Sequence, residues 1–259
     1  MTALFSDGFE SNDFTAWTST ATGGTGTLVV NATRPHHGTY SAYATGTCSG
    51  GYGTDYGYAT KTITQANIVY ARAYFYFNTL TLSQWKALHL IYLEYNNQSN
   101  ATVVGIYNDG GTLKWNLWGF EADAWFGNLS SVTPTTGVWY CVEVKRDVTN
   151  DQNQLWINGV LVSTVNVAMA QGANKVFAGF PGIDATVDDV ISLYFDCAVV
   201  ADAYIGVEEP AEPPSLQVIS SGSQRKLLHI LDLMYSSPEA EDWLRRVFNP
   251  DVFNPEVFW

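Results

Sequence analysis

Apolar and polar positions alternate in short runs through the first 200 residues, and Gly, Asn, Asp and Thr-Pro pairs separate the runs. That period of two is the mark of half-buried strands. It predicts strands over residues 28–30, 40–45, 68–77, 85–95, 103–107, 113–118, 138–146, 154–157, 160–167, 177–180 and 191–198. Residues 48–57 read as a Gly/Ser/Tyr loop and residues 96–100 as a polar turn. Asn108, Asp109, Gly110 and Gly111 form a tight-turn signal between two runs, and Asn158-Gly159 is an ideal type I′ pair. No stretch here keeps a helical period, and parallel α/β folds need a helix between strands, so those folds are excluded. The expected architecture is all-β: a two-sheet antiparallel jelly-roll sandwich over residues 1–207, followed by a short α-helical C-terminal tail.

The pattern changes after Gly206. Residues 208–222 form an acidic, proline-rich linker, and residues 223–259 form the tail. Leu227, Leu228, Ile230, Leu231 and Met234 make one apolar helical stripe, with Ser223 as its cap. Ser237-Pro238 opens a second short helix carrying Trp243 and Phe248. The chain closes on a small tandem repeat that places Phe253 and Phe258 alike, then Trp259. Leu227, Leu231, Trp243, Phe248, Phe253, Phe258 and Trp259 are the expected anchors on a partner. The expected partners are other chains of an assembly, so an oligomer is expected. A tail folded back as a cap is the other reading.

Composition narrows this picture. The chain has 259 residues, of which 46% are hydrophobic, 14% aromatic and 14% charged. Nine Trp, fifteen Tyr and thirteen Phe supply enough apolar area for a core of this size. A net charge of −13 argues against a nucleic-acid or anionic-membrane partner, because phosphate surfaces repel it. No run approaches the about 18 apolar residues of a membrane helix, and no basic segment followed by an apolar one marks a secretory signal. A product held in the cytoplasm until a particle carries it out, or displayed on a virion surface, fits that reading. Cys48, Cys141 and Cys197 are odd in number, and two of them sit in apolar runs, so buried thiols are expected in preference to a disulfide.

Four local patterns carry a resemblance. Asp7 to Ser11 with Phe14 and Trp17 looks like an opening strand, and Arg34 to Ala42 like the entry to a second one. Trp139 to Val144 followed by Leu155 to Gly159 resembles a characteristic hairpin, and Tyr194 to Asp196 through Gly206 a closing strand. Together they resemble the concanavalin A-like, laminin-G-like jelly roll over about residues 5–206. That fold hosts lectins, polysaccharide lyases, glycoside hydrolases and inert structural parts, so the resemblance speaks for fold more than function. It implies a structural Ca²⁺ held by oxygen ligands, with Asp7 or Glu10, the Gly38 carbonyl and Asp196 as the matching positions.

The hydrolases of this fold carry paired carboxylates on one strand, and no such strand is found. Glu94 and Glu143 stand alone, and Asp188-Asp189 would face opposite sides. Glu121 and Asp123 have the spacing but read as solvated loop residues. The lyases pair a base with an uronate neutraliser. His89, Tyr107 and Asn108 with Arg72 resemble that set, although an isolated His in an apolar strand such as His89 is more often a satisfied structural residue. Tyr52, Tyr56, Tyr58, Trp118, Trp125 and Phe126, read as loop aromatics, are candidates for stacking on sugar rings. The expectation is a non-enzymatic structural and recognition protein with a glycan-binding jelly roll and an attachment tail, such as a virion decoration or fibre component. A polysaccharide lyase or hydrolase, or a soluble lectin, are the alternatives.

Overall fold

The structure is a computed structural model that describes residues 1–48, 50–96, 100–121, 124–185 and 188–208. The linker beyond Glu208 and the expected helical tail lie outside the described residues. Sixteen strands follow one another. They are β1 (Ala3–Asp7), β2 (Ser19–Gly23), β3 (Thr27–Asn31), β4 (Ser41–Thr47), β5 (Gly51–Tyr52), β6 (Tyr56–Ala66), β7 (Ile68–Leu80) and β8 (Ala87–Tyr95). Then come β9 (Asn100–Asp109), β10 (Thr112–Glu121), β11 (Ala124–Leu129), β12 (Trp139–Asp147), β13 (Gln152–Ile157), β14 (Val160–Asn166), β15 (Ala173–Ala185) and β16 (Val190–Ala201). Among the described residues there is no helix.

The strands form two antiparallel sheets. The first runs β14-β13-β12-β7-β16-β4-β3, with β1 added to the far half of β16. The second runs β11-β10-β9-β8-β15-β6-β2, with β5 against β15. Both predicted hairpins form. Gly110 and Gly111 take positive φ of 62° and 102°, and the Asn108 side chain accepts the Gly111 N–H at 2.7 Å. Asn158 and Gly159 take φ of 51° and 78°, as a type I′ turn demands.

The inner faces of the two sheets share one core. Phe9, Phe75 and Phe195 meet at its centre, with ring centroids 5.4 Å and 6.1 Å from Phe195. Phe77, Trp115 and Tyr140 extend it along β7, β10 and β12. Each fully buried aromatic stabilises the fold by roughly 1.5–3 kcal/mol, and in a sandwich without disulfides this burial is the main source of stability. All three cysteines are free and buried, as expected. Cys141 on β12 and Cys197 on β16 lie either side of β7, about 9.5 Å apart at the usual strand spacing, too far to bridge.

Several strands escape a hydrophobicity reading. The segment read as a loop at 48–57 contains β5 and the start of β6. β6 carries Thr60, Lys61, Thr62 and Gln65, polar residues on a strand whose partners are supplied by β15 and β2. β15 runs from Ala173 to Ala185 despite Pro181, because its register shifts between Ala178 and Gly182.

Candidate functional site

The outer face of the second sheet has its own aromatic row, separate from the core. Strand alternation puts Tyr58, Phe177, Tyr92 and Trp118 on that face with Ala101 and Val103. Ring contacts run without a break from Tyr56 to Tyr58 (5.6 Å), Phe177 (5.4 Å), Tyr92 (5.8 Å), His89 (5.4 Å) and Trp118 (4.7 Å). The row crosses β6, β15, β8 and β10, with Gly105 of β9 leaving room for the indole. A Cβ at Gly105 would stand 2.9 Å from the Trp118 ring. Four strand spacings make the row about 19 Å long.

Tyr56 and Tyr58 are half-buried at one end, whereas Trp125 at the other is 68% exposed and packs on Phe120 at 5.1 Å. Trp118 is only 7% exposed. Of the six glycan candidates, then, Tyr58, Trp118 and Trp125 share this face, and Tyr56, which also packs on the core, meets it through Tyr58. Phe126 pairs with Gly119 and faces the opposite way from Trp125, its chain neighbour. The Tyr52 backbone pairs with Asp184, and its side chain lies outside what is described. Trp118 falls on the strand read at 113–118, whereas Tyr56 and Tyr58 lie on β6 and Trp125 and Phe126 on β11, a strand the hydrophobic pattern does not show.

His89 sits at the middle of the row. Its Nδ1 shares a hydrogen bond with the Tyr92 hydroxyl. Burial pushes its imidazole pKa down to about 3, so the ring is neutral at ordinary pH. Trp118 meets it edge-on, and a small pocket is lined by His89, Tyr92, Ala101, Val103, Trp118, Phe120 and Trp125. Three lysines of this sheet and its edges carry carboxylate partners: Lys86 with Asp184 (3.0 Å), Lys114 with Asp109 (2.7 Å) and Lys175 with Glu94 (3.8 Å), while Lys61 on β6 donates to Ala16 O at 2.6 Å.

The lyase-like set is not assembled. Arg72 lies on β7 of the other sheet, where it donates to Gly206 O at 3.0 Å and to Glu208 at 2.9 Å. Asn108 supports the turn through its side chain, which also donates to Leu82 O at 2.6 Å. Tyr107 pairs with Ala87 at the end of β8. Sheet order separates Arg72 from the other three, which lie on the adjacent strands β8 and β9.

Glu121 overturns its reading as a solvated loop residue. It ends β10, is 3% exposed, and accepts from Arg146 Nη2 at 2.8 Å and Ala170 N at 3.0 Å. Arg146 is wholly buried and also donates to Gln171 O at 2.7 Å and Thr102 Oγ1 at 3.1 Å. This pair bridges the two sheets inside the sandwich and is structural. Asp123 lies outside the described residues. Glu143 accepts from Ile205 N and Gly206 N at 2.7 Å and 2.8 Å and fixes the chain after β16.

The residues implied for calcium cluster on the first sheet's side. Glu10 accepts from Thr39 N at 2.9 Å and Tyr40 N at 3.1 Å, which hold its carboxyl below the usual range. Gly38 has φ 75° and lies so close to Glu10 that a Cβ would overlap the carboxylate. Asp7 accepts from Phe9 N (2.9 Å) and Trp17 Nε1 (2.7 Å). Asp196 accepts from His36 N (2.8 Å), His37 N (3.2 Å) and Cys197 N (2.6 Å); burial nonetheless pushes its carboxyl up to about 6. Glu10 and Asp196 serve N–H donors at the entry to β4, Asp7 serves Phe9 and Trp17, and Asp7 and Glu10 line one open cleft.

No family model and no curated protein matches the chain. Solved structures do. A cellulose induced protein, Cip1, aligns with a TM-score of 0.60 at 22% identity, covering 79% of this chain and 100% of its own. An endo-β-1,4-glucuronan lyase from the fungus Trichoderma reesei aligns with a TM-score of 0.60 at 14% identity, covering 78% of this chain and 96% of its own. A carbohydrate esterase from the Shiga toxin-encoding bacteriophage phi24B aligns at 0.52 and 14%, covering 77% of this chain and 97% of its own. At such identities the likeness is one of fold. The described residues of this chain form a concanavalin A-like jelly-roll sandwich.

Proposed function

We propose that the outer face of the second sheet binds a polysaccharide chain, as the recognition surface of a protein with no catalytic role of its own. One observation carries this: the unbroken aromatic row from Tyr56 to Trp118, flanked by the exposed Trp125. Sugar C–H faces pack on such rings while flanking polar groups fix the hydroxyls. The pairing of Lys86, Lys114 and Lys175 with carboxylates favours a neutral glycan over a uronate. The carbohydrate-related names of the three solved structures support the substrate class, and the phage source of one supports a particle setting. Attachment of the domain to an assembly through residues 223–259 completes the reading. It rests on the apolar anchors of that segment.

Glycan-array binding followed by titration tests the proposal. Trp125→Ala and Tyr58→Ala should each weaken binding by about 5- to 100-fold, about 1–3 kcal/mol, while leaving the thermal transition in place. Binding that is unchanged in both variants would refute it.

A second reading is a lyase, favoured by the His89–Tyr92 hydrogen bond. A neutral His89 bonded to a tyrosine hydroxyl can serve as a proton-transfer pair. Product formation on any uronan that is abolished in Tyr92→Phe would put this reading first.

A further inference from the structure

Among the described residues, one set of side chains outside the aromatic face brings His, Cys and Glu ligand atoms together. His36 Nδ1 lies 3.8 Å from Cys197 Sγ and 3.6 Å from Glu208 Oε2, and the three ligand atoms all fall within 4.8 Å of one another. The three come from the loop before β4, from β16, and from the last described residue of the chain. They are remote in sequence, and the fold alone brings them together.

We propose that His36, Cys197 and Glu208 bind a zinc-type divalent cation. The separations support this. Zinc bonds of about 2.3 Å to sulfur and 2.0–2.1 Å to nitrogen or oxygen give ligand pairs about 3.6 Å (S to N) and 3.3 Å (N to O) apart at the tetrahedral angle. The observed 3.8 Å and 3.6 Å need only a small inward shift. A thiolate, an imidazole and one carboxylate select zinc over calcium, which takes oxygen ligands only.

The ligands are held in place. The His36 ring stacks on Tyr74 with centroids 3.7 Å apart, and its backbone N–H is fixed by Asp196. Cys197 takes a left-handed φ of 50° where the pairing of β16 with β7 is interrupted between Asp196 and Val199. A non-glycine residue holds such a φ only where its surroundings enforce it. Glu208 is anchored through its backbone N–H to the Tyr74 hydroxyl at 2.7 Å, and Arg72 holds its Oε1 at 2.9 Å, leaving Oε2 directed at His36. Cys197 and Glu208 also line an open cleft of about 540 Å³ with Asp7, Glu10 and His37. A cation there has three protein ligands and a fourth position reachable by water. Binding displaces the Cys197 thiol proton to solvent, so one proton is released per cation bound.

The test uses the metal-free full chain, titrated with Zn²⁺ against a chromophoric chelator, together with the absorption spectrum of the Co²⁺ form. One cation per chain and a thiolate-to-cobalt charge-transfer band are expected. Cys197→Ser and His36→Ala should each weaken Zn²⁺ binding by more than the about 10–100-fold that follows loss of an outer-shell partner. Glu208→Gln should weaken it less, and Asp7→Asn should leave it unchanged. Circular dichroism checks that each variant folds. If Cys197→Ser does not, His36→Ala and the wild-type cobalt spectrum decide. Zinc binding that survives in His36→Ala, a cobalt form without the thiolate band, or binding of Ca²⁺ but not Zn²⁺ would overturn the proposal.

Discussion

Replacing Glu121 by Ala removes the carboxylate partner of Arg146, whose side chain is buried between the sheets with Glu121 Oε2 at 2.8 Å. Gln171 O and Thr102 Oγ1 remain as partners, but they are neutral and cannot balance the charge. Breaking a buried pair from one side costs about 3–5 kcal/mol, a large part of the roughly 5–15 kcal/mol that stabilises a domain. At about 2–4 °C per kcal/mol for a domain of this size, the transition should fall by about 6–20 °C. Glu121→Gln keeps an amide oxygen toward Arg146 Nη2 and should cost about half as much. Glu121→Leu with Arg146→Met should recover most of the loss, since an apolar replacement leaves no charge behind. Urea unfolding followed by tryptophan fluorescence, arranged as a double-mutant cycle, measures the coupling. A cost below about 1 kcal/mol for Glu121→Ala, or additive single costs, would show that Arg146 is solvated and would refute the buried-pair argument. Glycan binding by Glu121→Gln, measured below its transition, should match the wild type, because Glu121 faces the core and not the aromatic row.

Other outcomes follow from the same geometry. The His89 imidazole is held at about 3 by burial, below its ordinary value near 6.5, so the folded state takes up its proton later than the unfolded chain. Its contribution to stability is therefore complete above about pH 6.5 and is lost as pH falls toward 3, at up to about 1.4 kcal/mol per unit; His89→Gln should flatten that part of the profile in pH-dependent thermal melts. A flat difference between the two proteins over this range would contradict the burial. Gly105→Ala should unfold the sandwich or cost more than about 3 kcal/mol, because the new methyl would overlap the Leu88 carbonyl oxygen and press on Trp118; calorimetry reads it directly. A chain ending at Glu208 should fold with one cooperative transition, since β1 to β16 and their shared core are complete in it. The same truncation should abolish incorporation into an assembly if residues 223–259 are the attachment segment, read by co-sedimentation.

The sequence by itself determined the fold class. Period-two alternation and turn chemistry are local, so the Asn158-Gly159 and Gly110-Gly111 hairpins and the long strands at β7, β12 and β16 were legible without any partner. Strands whose stability comes from neighbours were not: β2 and β6 are rich in Thr, Ser and Lys, and β15 carries Pro181, yet the sheets on either side supply their hydrogen bonds. Side-chain chemistry followed the same division. The aromatic candidates were visible as residue types, but whether Trp125 and Phe126 share a face depends on strand parity. Arg72 and His89 match one motif by residue type alone, because sheet order puts them on different sheets. Glu121 looked solvated because its counter-ion, Arg146, is 25 residues away on another strand. His36, Cys197 and Glu208 show no spacing that would betray a site. Electrostatic partners and metal ligands act over a few ångströms of space, and in a sandwich of non-local pairings only the tertiary structure fixes which residues are that close.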